Sequence, residues 1–169
     1  MITAAIFVVF PLCLAIAAFS DLFTMTIPNR ASAILLATFL LMAVAMGLPW
    51  QQIGLHYAAG LAVFSVCFAL FALNVMGGGD AKLLTAAAVW FGLTPSLVEF
   101  LIYVCYVGGA VTLTILVLRS QANAIMALGI NLPSSILHAK KIPYGIAIGI
   151  GGFLAYPSSP LMVLVTQVH

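Results

Sequence analysis

Charge is what this sequence has least of. Among its 169 residues five are basic and three acidic, so charged residues make up 5% of the chain against 65% hydrophobic ones. Soluble domains carry roughly 25% charged residues, which excludes a water-soluble fold and makes lipid the solvent. Five basic side chains are also too few for a nucleic-acid surface. The three cysteines, Cys13, Cys67 and Cys105, all sit in apolar runs and form no C-x-x-C pair. Neither a zinc site nor a disulfide framework is indicated, and the expected state is buried and reduced. No cofactor or metal is called for, and no internal repeat or inverted pair of halves of the kind transporters use is visible. Residues 1–20 lack the basic n-region of a signal peptide, so they are expected to be a retained first span.

What is present is a series of apolar runs: 2–20, 31–48, 53–75, 81–93, 96–118 and 143–168. A transmembrane helix needs about 20 mostly apolar residues. These runs predict an all-α integral membrane protein, one transmembrane domain over 1–169, with about six helices. The fourth run is short and the sixth is broken by Pro157 and Pro160. All five basic residues fall in alternate connections: Arg30 between spans one and two, Lys82 between three and four, and Arg119, Lys140 and Lys141 between five and six. The positive-inside rule makes that side cytoplasmic and puts both termini outside. Trp50 and Trp90 are expected at the outer interface. The 24 residues from Arg119 to Ile142 form the one long connection, expected to lie on the cytoplasmic surface.

The acids are few enough to weigh one by one. Glu99 opens the fifth span and reads as a first-turn carboxylate complementing the helix dipole. Asp21 closes the first span and Asp80 opens the fourth, both at the cytoplasmic membrane edge by the derived topology. Taken singly, Asp80 reads equally well as a helix N-cap and Asp21 as a solvated residue past a helix end. Together they say more. Two carboxylates brought close cannot both ionise, and such a pair can bind a water, take its proton and polarise a scissile carbonyl. The helix ends suggest Asp80 as the base and Asp21 as the proton carrier, because Asp21 sits at a helix C-terminus and Asp80 at an N-terminus.

Three glycines precede Asp80 in "NVMGGGDAKLL". Irregular backbone survives in a membrane only where it lines a protected or watered cavity. Gly77, Gly78 and Gly79 are expected to adopt positive φ and to form a notch admitting a substrate backbone. Flexing of this loop would close any gap between the two aspartates.

At these residues the sequence resembles the prepilin peptidases of type IV pilus systems. "SDLFTMTIPNR" is similar to the first aspartate motif of that family, with Ile27, Pro28 and Asn29 after Asp21. "GGGDAKLL" resembles its second, with Gly77, Gly79, Asp80 and a following Lys82, and "KKIPYGIAIGIG" resembles the stretch that opens its last span. The resemblance implies a membrane aspartic endopeptidase of the bacterial inner membrane, with Asp21 and Asp80 as the catalytic pair. Its substrates would be prepilins, with a basic leader, a cleavage site and a hydrophobic helix, cut on the cytoplasmic side. Pro28 and Asn29 would shape the start of span two. Only ten residues separate the first two spans and no Cys pair is present, so the methyltransferase insert of the longer enzymes is not carried over. The short form is similar to the peptidases of Flp/Tad pili.

The remaining polar residues read more blandly. Lys82 is a membrane anchor or a cation paired to Asp80, Lys140 and Lys141 are anchors, and His56, His138 and His169 are bystanders. Gly145 and Gly149 form a Gly-x-x-x-Gly, which usually means close helix packing. Three other readings stand beside the prepilin peptidase: a presenilin-like protease, a small transporter or ion-conducting bundle with the aspartates as a proton relay, and a purely structural subunit.

Overall fold

The computed structural model describes residues 2–121 and 143–167. The described residues are helical: α1 (Ile2–Thr24), α2 (Asn29–Ala45), α3 (Trp50–Ala72), α4 (Gly78–Phe91), α5 (Pro95–Ser120) and α6 (Tyr144–Ala155), then a 3₁₀ turn (Tyr156–Ser158) and α7 (Pro160–Gln167). The break predicted at Pro157 and Pro160 is there: Pro157 lies in the 3₁₀ turn and Pro160 starts α7. Neither proline has an N–H to give the preceding turn, so one continuous helix cannot form.

Four helical stretches are long and apolar enough to cross a membrane: Ala5–Thr24, Trp50–Ala72, Pro95–Ser120 and Tyr144–Gln167. This is a multi-pass membrane protein. α2 is shorter, and α4 has 14 residues, about 21 Å at 1.5 Å per residue against a hydrocarbon core of about 30 Å. α4 does not need to reach both surfaces because it hardly meets lipid. Nine of its residues are buried, from Ala81 to Phe91, and α3, α2, α6 and α5 pack round it. Small residues permit this: a Cβ on Gly60 of α3 would stand 2.6 Å from Val89, so α3 and α4 approach to backbone distance.

Aromatic rings packed on one another form part of the core. Phe10 stacks on Tyr156 at 4.4 Å and touches Trp90 at 5.1 Å, while Phe39 meets Trp90 at 5.9 Å. Trp90 is 0% exposed and donates its indole N–H to the Leu35 carbonyl at 3.1 Å. It is therefore a core residue rather than an interfacial one, whereas Trp50 is 73% exposed. Glu99 also departs from expectation. It lies past the first turn of α5 and accepts a hydrogen bond from the Ser158 hydroxyl at 2.6 Å, tying α5 to the 3₁₀ turn. His56 is buried, with Nδ1 2.7 Å from the Val89 carbonyl oxygen and its ring against Phe39. Cys13 and Cys67 are buried, but Cys105 is exposed on α5.

Short connections join the first five helices and bring the α1 C-terminus, the α2 N-terminus and the α3–α4 junction to one end of the bundle. Just past the end of α3 and its C-cap Leu73, Asn74 has a φ of +58°, which places it in the left-handed region. Val75 N–H bonds Leu70 O, and Asn74 N–H bonds Phe71 O, both at 2.9 Å. This is a Schellman ending with Asn in the position usually held by Gly, and it aims the chain into the α4 start. Arg30 and Lys82 are both at this end and exposed. The expected surface segment, apart from its first residues, lies outside the described residues, as do His138, Lys140, Lys141 and His169.

Candidate active site

Asp21, Met25, Thr26, Ile27, Asn29, Gly77, Gly78, Gly79 and Asp80 line one cavity of about 290 Å³. Two stretches distant in sequence, 21–29 and 77–80, thus share one hollow at one end of the bundle. Asp21 is buried and Asp80 half-buried.

Asp21 lies within α1, three residues before its end. Its Oδ2 accepts the backbone N–H of Gly145 at 2.7 Å. Gly145 is the second residue of α6, so the N–H it donates is one of those a helix start leaves unsatisfied. A Cβ on Gly145 would stand 2.8 Å from both Cβ and Oδ2 of Asp21. The third sequence motif therefore meets the first aspartate directly, and its glycine is the condition of that contact. Gly149 packs the same way, 3.0 Å from the Ala18 Cβ, so the Gly-x-x-x-Gly of α6 does face a neighbouring helix.

The N-cap of α4 is Gly77 and Asp80 is its third residue, so Asp80 is not the cap itself. Its carboxylate folds back over the helix start, with Oδ2 2.7 Å from where a Cβ on Gly77 would stand. The glycines do not take positive φ. Gly77 is extended at φ −72°, Gly78 and Gly79 are already helical, and the left-handed residues nearby are Met25 and Asn74. Absence of a side chain is what matters. A Cβ on Gly78 would lie 3.2 Å from the Phe71 ring, and one on Gly79 3.2 Å from the Ile27 Cβ. Gly79 therefore docks the second motif on the first.

A second tie joins the same motifs. Lys82 donates to Asn29 Oδ1 at 3.0 Å, so neither sequence reading of Lys82 describes it fully. Asn29 does not cap α2; the cap position is Pro28, at φ −67°. Hydroxyls brace the chain between Asp21 and Pro28. Ser20 Oγ donates to the Thr26 carbonyl at 2.7 Å, and Thr24 Oγ1 donates to the Ser20 carbonyl at 2.7 Å and lies 2.6 Å from Thr26 Oγ1. The dipole argument that separated the two acids is weakened but not removed: Asp80 lies at the start of α4 and Asp21 in the last turn of α1, while the Asp21 carboxylate also meets the start of α6.

Met25, Thr26, Phe71 and Gly145 are the contributors the sequence reading did not assign to the site. The run of hydroxyls in "SDLFTMT" was the available signal for a braced turn. No group of three or more His, Cys, Asp or Glu able to hold a metal occurs among the described residues.

A family model for the type IV leader peptidase family matches residues 8–113. This is well over half of the chain, and it includes both aspartates and the residues that join them. The chain belongs to the type IV leader peptidase family. It is therefore a peptidase, and membership implies prepilin-type substrates. The Pro143–Gly145 stretch lies beyond the matched residues, so its contact with Asp21 is a structural finding independent of the match. No curated protein and no solved structure gave a significant match.

Proposed function

We propose that this leader peptidase is an aspartic endopeptidase in which Asp21 and Asp80 activate one water against the peptide bond at the leader junction of a prepilin. One observation carries the reading: both aspartates line the same hollow, each at a helix start, with the glycines of the second and third motifs leaving room for them. The pair shares one proton. The ionised carboxylate takes a proton from water as its oxygen attacks the carbonyl carbon. The protonated carboxylic acid hydrogen-bonds and then protonates the carbonyl oxygen. As the diol collapses, the carboxyl that took the water proton gives it to the amide nitrogen and the C–N bond breaks, while the other carboxylate takes a diol hydroxyl proton as the new C=O forms.

The site faces the cytoplasm of a bacterial inner membrane, with both chain ends outside, in this reading. Its support is that all five basic residues of the sequence fall at alternate connections, with Arg30 and Lys82 at the aspartate end. The whole of 1–169 acts as one peptidase domain. The brief 25–28 connection between α1 and α2 leaves no room for an inserted domain there, which supports the short Flp/Tad-like form. The test is cleavage of a prepilin-like substrate by the purified protein in detergent, with the product masses read by mass spectrometry. A cut at the leader junction is expected; an intact substrate with folded enzyme overturns the reading.

A further inference from the structure

α3 and α5 do not close on each other over the face of α4, and a second cavity of about 620 Å³ lies between them. α3 contributes Val63, Val66 and Cys67 and α5 contributes Leu101, Cys105 and Gly109, with Leu84 of α4 and Ile148 of α6 as the floor. The α5 lining runs from Leu97 to Gly109, about 18 Å of helix at 1.5 Å per residue. This cleft is apolar and opens toward lipid, as Val66 and Cys105 are exposed.

Two observations distinguish it from an ordinary lipid-facing furrow. The first is continuity with the aspartate hollow. Met76 and Tyr144 line the cleft, while their chain neighbours lie against the two aspartates: Gly77 under the Asp80 carboxylate and Gly145 bonded to Asp21. The second is Gly109. Its neighbour Gly108 is required by the Tyr144 ring, 3.1 Å from where a Cβ would stand, but a Cβ on Gly109 would meet nothing within 4 Å. A glycine inside a helix costs about 1 kcal/mol relative to alanine, and packing among the described residues does not call for it. Small residues on a membrane helix allow a second helix to approach closely, and Gly109 lies at the end of the cleft nearest the aspartates.

We infer that the α3–α5 cleft receives the hydrophobic helix of the substrate immediately after the scissile bond, with Gly109 as the point of closest approach. The inference rests on the leader-peptidase reading and adds where the uncut part of the substrate lies. A helix laid along the cleft from the Gly109 end leads its preceding residues to the Met76–Gly77 corner, and so to Asp80. About twelve residues of substrate helix fit along 18 Å. The cleft then sets register: the bond cut is the one held at the aspartates when the helix is seated.

Cys105 supplies the probe, being an exposed thiol on this cleft about one turn from Gly109. Single cysteines are placed along the first twelve or so residues after the cleavage site of a prepilin-like substrate. Disulfide formation with Cys105 is then scored in vesicles. Cross-links are expected one to two turns past the scissile bond and on one helical face, recurring every three or four positions, and to vanish with Cys105→Ser. Gly109→Leu, with Val66→Trp as an independent filling of the same cleft, is expected to lower kcat/KM about tenfold. Substrate that wild type cuts, but that cross-links at no position or at all positions alike, overturns the cleft and leaves the peptidase standing. So does undiminished cleavage by both filled variants, the result expected if only acyl chains occupy the cleft. Substrate that wild type leaves intact overturns the peptidase reading and this inference with it.

Discussion

Gly145 donates its backbone N–H to Oδ2 of Asp21 at 2.7 Å, although 124 positions separate them in the chain. The bond holds a carboxylate at the start of α6, and it forms only because residue 145 has no side chain. A methyl group there would stand 2.8 Å from the Asp21 Cβ and carboxylate. Gly145→Ala is therefore expected to displace Asp21 while leaving the bundle folded. A shift of about 1 Å at a reacting group can cost roughly 100-fold, so kcat/KM should fall by about that factor with little change in thermal unfolding. Unfolding that falls in step with activity would mean that the glycine serves helix packing alone.

The three glycines before Asp80 should not be equivalent. An added Cβ at Gly77 meets the Asp80 carboxylate at 2.7 Å, at Gly79 it meets the Ile27 Cβ at 3.2 Å, and at Gly78 it meets the edge of the Phe71 ring at 3.2 Å. The ring can swing aside, whereas the Ile27 Cβ is fixed to its backbone. Alanine substitutions should reduce cleavage in the order Gly77, then Gly79, then Gly78. Kinetics on the three variants test this, and an equal effect at all three would favour simple loop flexibility.

Lys82 and Asn29 link the two aspartate motifs through one hydrogen bond of 3.0 Å. Hydrogen bonds contribute about 0.5–1.5 kcal/mol net, and this one is exposed, which places it at the low end. Lys82→Met and Asn29→Leu should each destabilise modestly, and the double variant by less than the sum. The coupling is read from a double-mutant cycle in detergent unfolding. Strict additivity would mean that the contact contributes nothing.

The two tryptophans offer a direct contrast. Trp90 is fully buried among Phe10, Phe39 and Tyr156, and Trp50 is 73% exposed. Trp90→Ala should cost about 3–5 kcal/mol, while Trp50→Ala should change stability by less than about 0.5 kcal/mol. Comparable losses at both would restore the interfacial role that sequence position suggested for Trp90.

That error shows where sequence reading stops. Apolar runs separated by short polar breaks are enough to place six helical segments and the proline break, because lipid forces every backbone group into a helix. Composition does not say which apolar residue faces lipid and which faces protein, since both surroundings are oily. Trp90 was misplaced for that reason, and Cys105, exposed on α5, was misplaced with it. At the candidate site, most of the residues that converge were legible: Asp21, Ile27, Asn29, Gly77–Gly79 and Asp80 line one hollow, together with the unassigned Met25 and Thr26. How they converge was not. The glycines suggested left-handed turns, yet the left-handed positions are Met25 and Asn74. Steric room for the carboxylates and for Ile27 is a property of contacts between distant segments, and a local sequence window does not contain it. The Gly145–Asp21 bond also lay hidden. It joins a motif recognised in sequence to an aspartate that sequence had paired only with Asp80.

The most direct test of the account is cleavage of a prepilin-like substrate by wild type, Asp21→Asn and Asp80→Asn, purified in parallel and checked for folding. The account predicts a cut at the leader junction by wild type and at least a hundredfold loss in both variants, since either amide removes one of the two proton-transferring groups. Full cleavage by either folded variant would contradict it.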